Sequence, residues 1–160
     1  MNWYDSHTAK RILVAIAINF SKKVIKMNEL KHRAHSVGQN AFHFVWKPKY
    51  ASKFLKYMQV NKVCEGAIRL IAQQKKCKVY ELKVMPDHIH LFVELPPTLS
   101  VSKALQYFKG ISSRILRRRF KFLCKIPMIW SKGKFYRSVG SVSFETIQRY
   151  ISESQGEWKF

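Results

Sequence analysis

The sequence predicts an α+β fold, an antiparallel sheet with helices packed on one face. Three observations carry that reading. The stretch from His88 to Leu95 alternates, with His88, His90, Phe92 and Glu94 on one side and Ile89, Leu91, Val93 and Leu95 on the other. A period of two marks a half-buried strand. Two longer stretches, 52–74 and 100–121, carry apolar residues at helical spacing instead. Finally, the strand before the alternating one is joined to it by little more than Pro86-Asp87, and neighbours joined so tightly form an antiparallel hairpin.

Each element follows in order. Lys10 to Met27 reads as a basic amphipathic helix, with Ile12, Ile16, Phe20 and Val24 on one face. Asn28 to Gln39 is polar and reads as a solvated linker, so residues 1–37 form a basic N-terminal extension and 38–160 the main domain. Ala41 to Lys47 sets Phe42, Phe44 and Trp46 against His43, Val45 and Lys47, a first strand that Pro48 ends. Ser52 to Gln74 is a helix with Leu55, Met58, Val63, Ala67, Leu70 and Ile71 as its stripe. Val79 to Val84 is a strand with Tyr80, Leu82 and Val84 on one side. Pro96-Pro97 stops the histidine strand, and Ser100 is placed as the N-cap of the next helix. Val101, Ala104, Leu105, Phe108, Ile111 and Ile115 form its buried stripe. Met128 to Val139 is a further strand or hairpin, and Ser143 caps a last helix carrying Ile147, Tyr150 and Ile151. From residue 41 the order is strand, helix, strand, strand, helix, strand, helix. That order is close to ferredoxin-like.

Charge narrows the function. Thirty Lys and Arg stand against nine Asp and Glu, a formal net charge of +21. The natural partner is a polyanion, nucleic acid before a membrane surface or a ribosome. Asp5 and Asp87 are the only aspartates, which argues against a two-metal nuclease built on clustered carboxylates. Cys64, Cys77 and Cys124 are odd in number and form no C-x-x-C pair, so neither a disulfide framework nor a structural zinc site is expected. A reducing cytoplasm fits that usage. The apolar run Ile12 to Ile18 is too short to span a bilayer, and no small-residue cleavage site follows it.

Two imidazoles two residues apart on a strand stand about 6.5–7 Å apart at Cα and can converge on one metal ion. A polar strand face that merely carries histidines is the competing reading. In the second helix Arg114, Arg117, Arg118, Arg119 and Lys121 crowd together, and such like charges repel unless an anion lies among them. Trp130, Phe135 and Tyr136 interleave with Lys132, Lys134 and Arg137, a mixture suited to single strands whose bases stack and whose phosphates pair. Core aromatics in a strand would give the same pattern.

Phe42-His43-Phe44-Val45-Trp46-Lys47-Pro48-Lys49-Tyr50, then Met85-Pro86-Asp87-His88-Ile89-His90-Leu91-Phe92-Val93, then Tyr136-Arg137-Ser138-Val139-Gly140 and Glu145-Thr146-Ile147-Gln148-Arg149-Tyr150-Ile151 form an ordered set. Over residues 40–155 this set resembles the small single-tyrosine transposases of insertion sequences, the TnpA type of HUH endonucleases. The resemblance implies enzymes that cut and rejoin single-stranded DNA through a 5′-phosphotyrosine link. It implies Tyr150 as nucleophile and His88 and His90 as ligands of a divalent ion, Mg2+ or Mn2+. It also implies a homodimer, often with the tyrosine helix acting in trans, and recognition of hairpins near the element's ends. The family places a Gln four residues after the tyrosine; here Ser154 stands there and Gln155 follows. Gln155 is taken as the third ligand, with Glu153 the alternative nearer the Tyr150 face. Lys47, Lys49, Arg114, Arg117, Arg118, Lys132, Lys134 and Arg137 are the expected DNA contacts. Competing readings are a repeat-processing or replication nickase with the same chemistry, a decayed transposase, and a non-catalytic single-stranded nucleic-acid-binding module.

Overall fold

The computed structural model describes residues 31–33 and 36–139. The chain divides into two compact units, Met1–Gly38 and Gln39–Phe160. In the first, β1 (Lys31–Arg33) and β2 (Ser36–Gly38) pair antiparallel, His32 opposite Val37. Two short runs within the stretch expected to be a solvated linker thus pair as strands. Backbone donors and acceptors seek partners whatever the side chains are, and two short runs satisfy one another.

The second unit contains β3 (Ala41–Trp46), α1 (Met58–Gln74), β4 (Lys78–Val84), β5 (Ile89–Glu94), α2 (Val101–Arg119) and β6 (Phe135–Ser138). The sheet order is β4-β5-β3-β6, antiparallel at every pairing. Each helix thus links two parallel strands with a third between them, which is the ferredoxin-like arrangement. The core packs Phe44, Trp46, Leu82, Ile89, Leu91 and Val93 of the sheet against Cys64, Ile68 and Ile71 of α1 and Leu105, Phe108 and Leu116 of α2. The antiparallel sheet with helices on one face is borne out.

Several local expectations are corrected. The first helix starts at Met58, not Ser52, because Phe54–Lys56 forms a separate 3-10 turn that buries Phe54 and Leu55, and Tyr57 is extended. Met58 and Leu70 are exposed, and Val60, Cys64, Ile68 and Ala72 are buried in their stead. Strand β6 is four residues long. Before it, Trp130 only bridges Pro48, and its ring enters the core against Trp46 and Phe54. Its indole N–H donates to Ser112 Oγ at 3.0 Å. Trp130 is thus a core residue and not a stacking platform; Tyr136 is exposed. Strand β4 slips register between Val79 and Glu81. That bulge turns Tyr80 onto the face opposite Leu82, against Phe92 and Glu94. As expected, Ser100 caps α2, its Oγ accepting from the Lys103 N–H at 3.3 Å. The expected helices at Lys10–Met27 and after Ser143 lie outside the described residues.

Candidate active site

The face of the sheet turned away from the helices carries the histidines. Registration decides who meets there. His43 of β3 stands opposite Phe92, Val45 opposite His90, and Lys83 of β4 opposite His90 from the other side. From β6, Phe135 pairs with Val45 and Arg137 with His43. The face is therefore assembled by all four strands of the sheet, with β5 between β4 and β3.

His88 sits just before β5, in a turn closed by the Met85 N–H donating to the His88 carbonyl at 2.8 Å. Its Nδ1 lies 2.7 Å from Asp87 Oδ1. A carboxylate only accepts, so Nδ1 carries the proton and Nε2 keeps its lone pair. That Nε2 is 3.0 Å from His90 Nε2, the rings standing nearly perpendicular at 80°. His90 Nδ1 in turn is 3.0 Å from His43 Nε2, with those two rings near parallel. All three imidazoles are buried. Burial pushes His43 down to about 4. It pushes His90 down to about 3, with His43, His88 and Lys83 adding to the effect and Asp87 opposing it. Both are neutral at pH 7, the form that ligates metals.

A divalent ion fits this arrangement. Two cis ligands of an octahedral ion with bonds of about 2.1 Å are separated by about 3.0 Å, which is the distance between the two Nε2 atoms. Among the described residues no group of three or more His, Cys, Asp or Glu is arranged to hold a metal. The pair needs a further donor, and Gln155, Glu153 and the nucleophile candidate Tyr150 lie outside the described residues.

The basic candidates divide between the two sides of the sheet. Lys47 follows β3 and, with Val45, Ser131, Lys134 and Phe135, lines a cavity of about 270 Å3 next to the histidine face. Lys132, Lys134 and Arg137 are exposed on or beside β6, and Lys49 is half-buried in a 3-10 turn with its Nζ over the Tyr50 ring. Arg114 and Arg118 are exposed on α2, in the helix layer. Arg117 is partly engaged otherwise, its guanidinium donating to the Ile126 and Pro127 carbonyls at 2.7 and 2.9 Å.

Two residues escaped the sequence reading. His43 alternates with the apolar face of its strand, but only the β3–β5 register shows that it reaches His90. Lys109 donates to the Ser131 and Gly133 carbonyls and ties α2 to the loop before β6. Burial, then Lys134, lowers its pKa. As one cation among several on an amphipathic helix, it gave no signal.

No helix among the described residues is long and apolar enough to cross a membrane. Comparison with known proteins completes the picture. The model of the family described as "Transposase IS200 like" matches residues 36–154. The transposase for insertion sequence element IS200 of Salmonella typhimurium is 31% identical over 136 residues, covering 83% of this chain and 88% of that protein. The ISDra2 transposase TnpA of Deinococcus radiodurans is 30% identical over 138 residues, covering 82% and 95%. Among solved structures, a putative transposase from Deinococcus radiodurans R1 superposes with a TM-score of 0.65 at 26% identity, over 77% of this chain and 96% of that one. A REP-associated tyrosine transposase bound to a REP hairpin shares the fold at a TM-score of 0.55 and 15% identity, over 76% and 69%. With its four-stranded sheet, its converging histidines and a family match over most of its length, this chain belongs to the IS200-like transposases.

Proposed function

We propose that this transposase cleaves and rejoins single-stranded DNA at insertion-sequence ends through a 5′-phosphotyrosine intermediate, with residues 38–160 as the catalytic domain. The observation that carries the reading is the approach of two buried imidazoles, His90 on the interior strand β5 and His88 just before it, whose Nε2 atoms lie 3.0 Å apart. His88 and His90 would hold Mg2+ or Mn2+, with Gln155 or Glu153 as a further ligand. When bound, the ion supplies Lewis acidity toward a phosphate oxygen.

The chain's own residues do the rest. Asp87 fixes the His88 tautomer. Tyr150 attacks the scissile phosphorus: the Oη–P bond forms, the P–O3′ bond breaks, the phenolic proton passes to solvent and the 3′ oxygen leaves protonated. Bond energy stays in the phosphotyrosine, so a 3′-OH attacking it reseals a strand. Lys47 and Arg137, beside the histidines, steer the backbone into place. Lys49, Arg114, Arg117, Arg118, Lys132 and Lys134 extend the binding surface toward hairpin-bearing DNA. The working unit is a homodimer in which Tyr150 serves the histidines of its own protomer or those of its partner.

The test is incubation with labelled single-stranded DNA and Mn2+. A covalent protein–DNA species is expected, lost in Tyr150→Phe. In His88→Ala cleavage disappears while DNA affinity stays within a few-fold, because affinity rests on Lys and Arg. An adduct that survives Tyr150→Phe, or equal loss of binding and cleavage in His88→Ala, overturns the proposal.

A further inference from the structure

The histidine pair does not end at His90. Beyond it, from a different strand, stands His43, buried and 3.0 Å away through His43 Nε2 and His90 Nδ1. His43 does not face the convergence point, since its contact is with the ring nitrogen of His90 on the far side from His88. Edge-on packing of its ring against Phe135 holds it there, with centroids 6.3 Å apart at 72°.

The three rings have one self-consistent proton arrangement whenever both Nε2 atoms face a cation. His88 carries its proton on Nδ1, toward Asp87. His90 must then carry its proton on Nδ1 as well, so its N–H points at His43 Nε2. His43 accepts there only if its own proton is on Nδ1. Without a cation the same chain favours the reverse order, His43 Nε2–H donating to His90 Nδ1 and His90 Nε2–H donating to His88 Nε2. The number of protons is three in both orders. Two of them change nitrogen, by exchange with solvent.

We propose that His43 is a positioning residue for the metal centre, an imidazole that sets the tautomer and ring plane of His90 and reverses its own tautomer when a divalent ion binds. The inference rests on the metal-centre reading of His88 and His90. Ligating histidines usually hand their second N–H to a carboxylate, a carbonyl or water, and loss of that acceptor costs about 10- to 100-fold in metal affinity. Here the acceptor is a third neutral imidazole, supplied by the neighbouring strand.

The experiment has two arms on the full chain. Mn2+ binding is measured by electron paramagnetic resonance for wild type, His43→Phe and His43→Gln. Phe keeps the ring volume and removes the acceptor; Gln places an amide oxygen near the position of Nε2. The expected result is a loss of affinity of about 10- to 100-fold in His43→Phe, largely restored in His43→Gln. In the second arm, nitrogen-15 spectra of the imidazoles are recorded after chelation and then with saturating Mg2+. His43 is expected to change from Nε2–H to Nδ1–H although it never touches the ion, a change that a packing role does not produce. If both variants bind Mn2+ like wild type, or the His43 tautomer is the same in both conditions, the proposal is wrong while the metal centre stands. If wild type itself takes up no Mn2+, the metal centre falls and the inference with it.

Discussion

Neutral histidine in a dry site carries a penalty in acid. Burial lowers His43 to about 4, against about 6.5 for an exposed imidazole. Between those values the unfolded chain binds a proton that the folded chain refuses, so stability is intact at neutral pH and drops as pH falls through 6.5 toward 4. For His43 alone, a move from pH 7 to pH 4.5 removes roughly 2–3 kcal/mol. Urea denaturation in chelator-containing buffer measures it, and His43→Phe is expected to flatten that part of the profile. The residue scale is also where the sequence was least informative. His88 and His90 announce themselves because they share a strand at a spacing of two. His43 lies 47 residues from His90 and becomes its neighbour only through the strand register. Asp87 was visible as a turn residue, but its orientation toward His88 Nδ1 depends on how the turn closes. Tyr150 and Gln155 came into view through family resemblance, not through any property that a helix period can show.

At the scale of elements, periodicity located the strands and the two helices because each sets a run of apolar side chains on the face it turns to the core. It failed where an element was irregular. Strand β4 was read as unbroken, yet the slip between Val79 and Glu81 puts Tyr80 on the histidine face, its hydroxyl on Glu94 Oε2 at 2.5 Å. Composition cannot reveal a bulge, since one extra residue leaves the apolar count unchanged. The hydroxyl is held far above its ordinary range by burial and by that carboxylate. Tyr80→Phe removes a donor from a buried acid, and a loss of about 1–3 kcal/mol is expected. Guanidinium titrations read it. The same limit applies to Trp130, whose place among lysines suggested base stacking. Burial against Trp46 and Phe54 makes it a core residue instead.

For the whole molecule, charge is the governing quantity. A net +21 drives association with polyanions through release of condensed counterions. With 6 to 10 phosphates contacted, affinity is expected to drop about 10^3- to 10^5-fold between 50 and 200 mM salt. Fluorescence anisotropy on a labelled single strand gives the slope, and a flat response excludes a phosphate-dominated surface. Arg137→Ala is expected to make that slope shallower by about one contact. Arg117→Ala acts differently, because its side chain also braces the Ile126–Pro127 carbonyls.

Strand β5 has a neighbour on each side, β4 and β3, and is buried along its whole length. Its amide hydrogens can therefore trade with solvent deuterium only when the sheet opens as a unit, at close to the global unfolding free energy. His90 is thus mounted on the strand expected to exchange slowest among the described residues, and His88 directly precedes it. Mass spectrometry of deuterium uptake should find peptides spanning 89–94 labelled last, and those at the four-residue rim strand β6 labelled early.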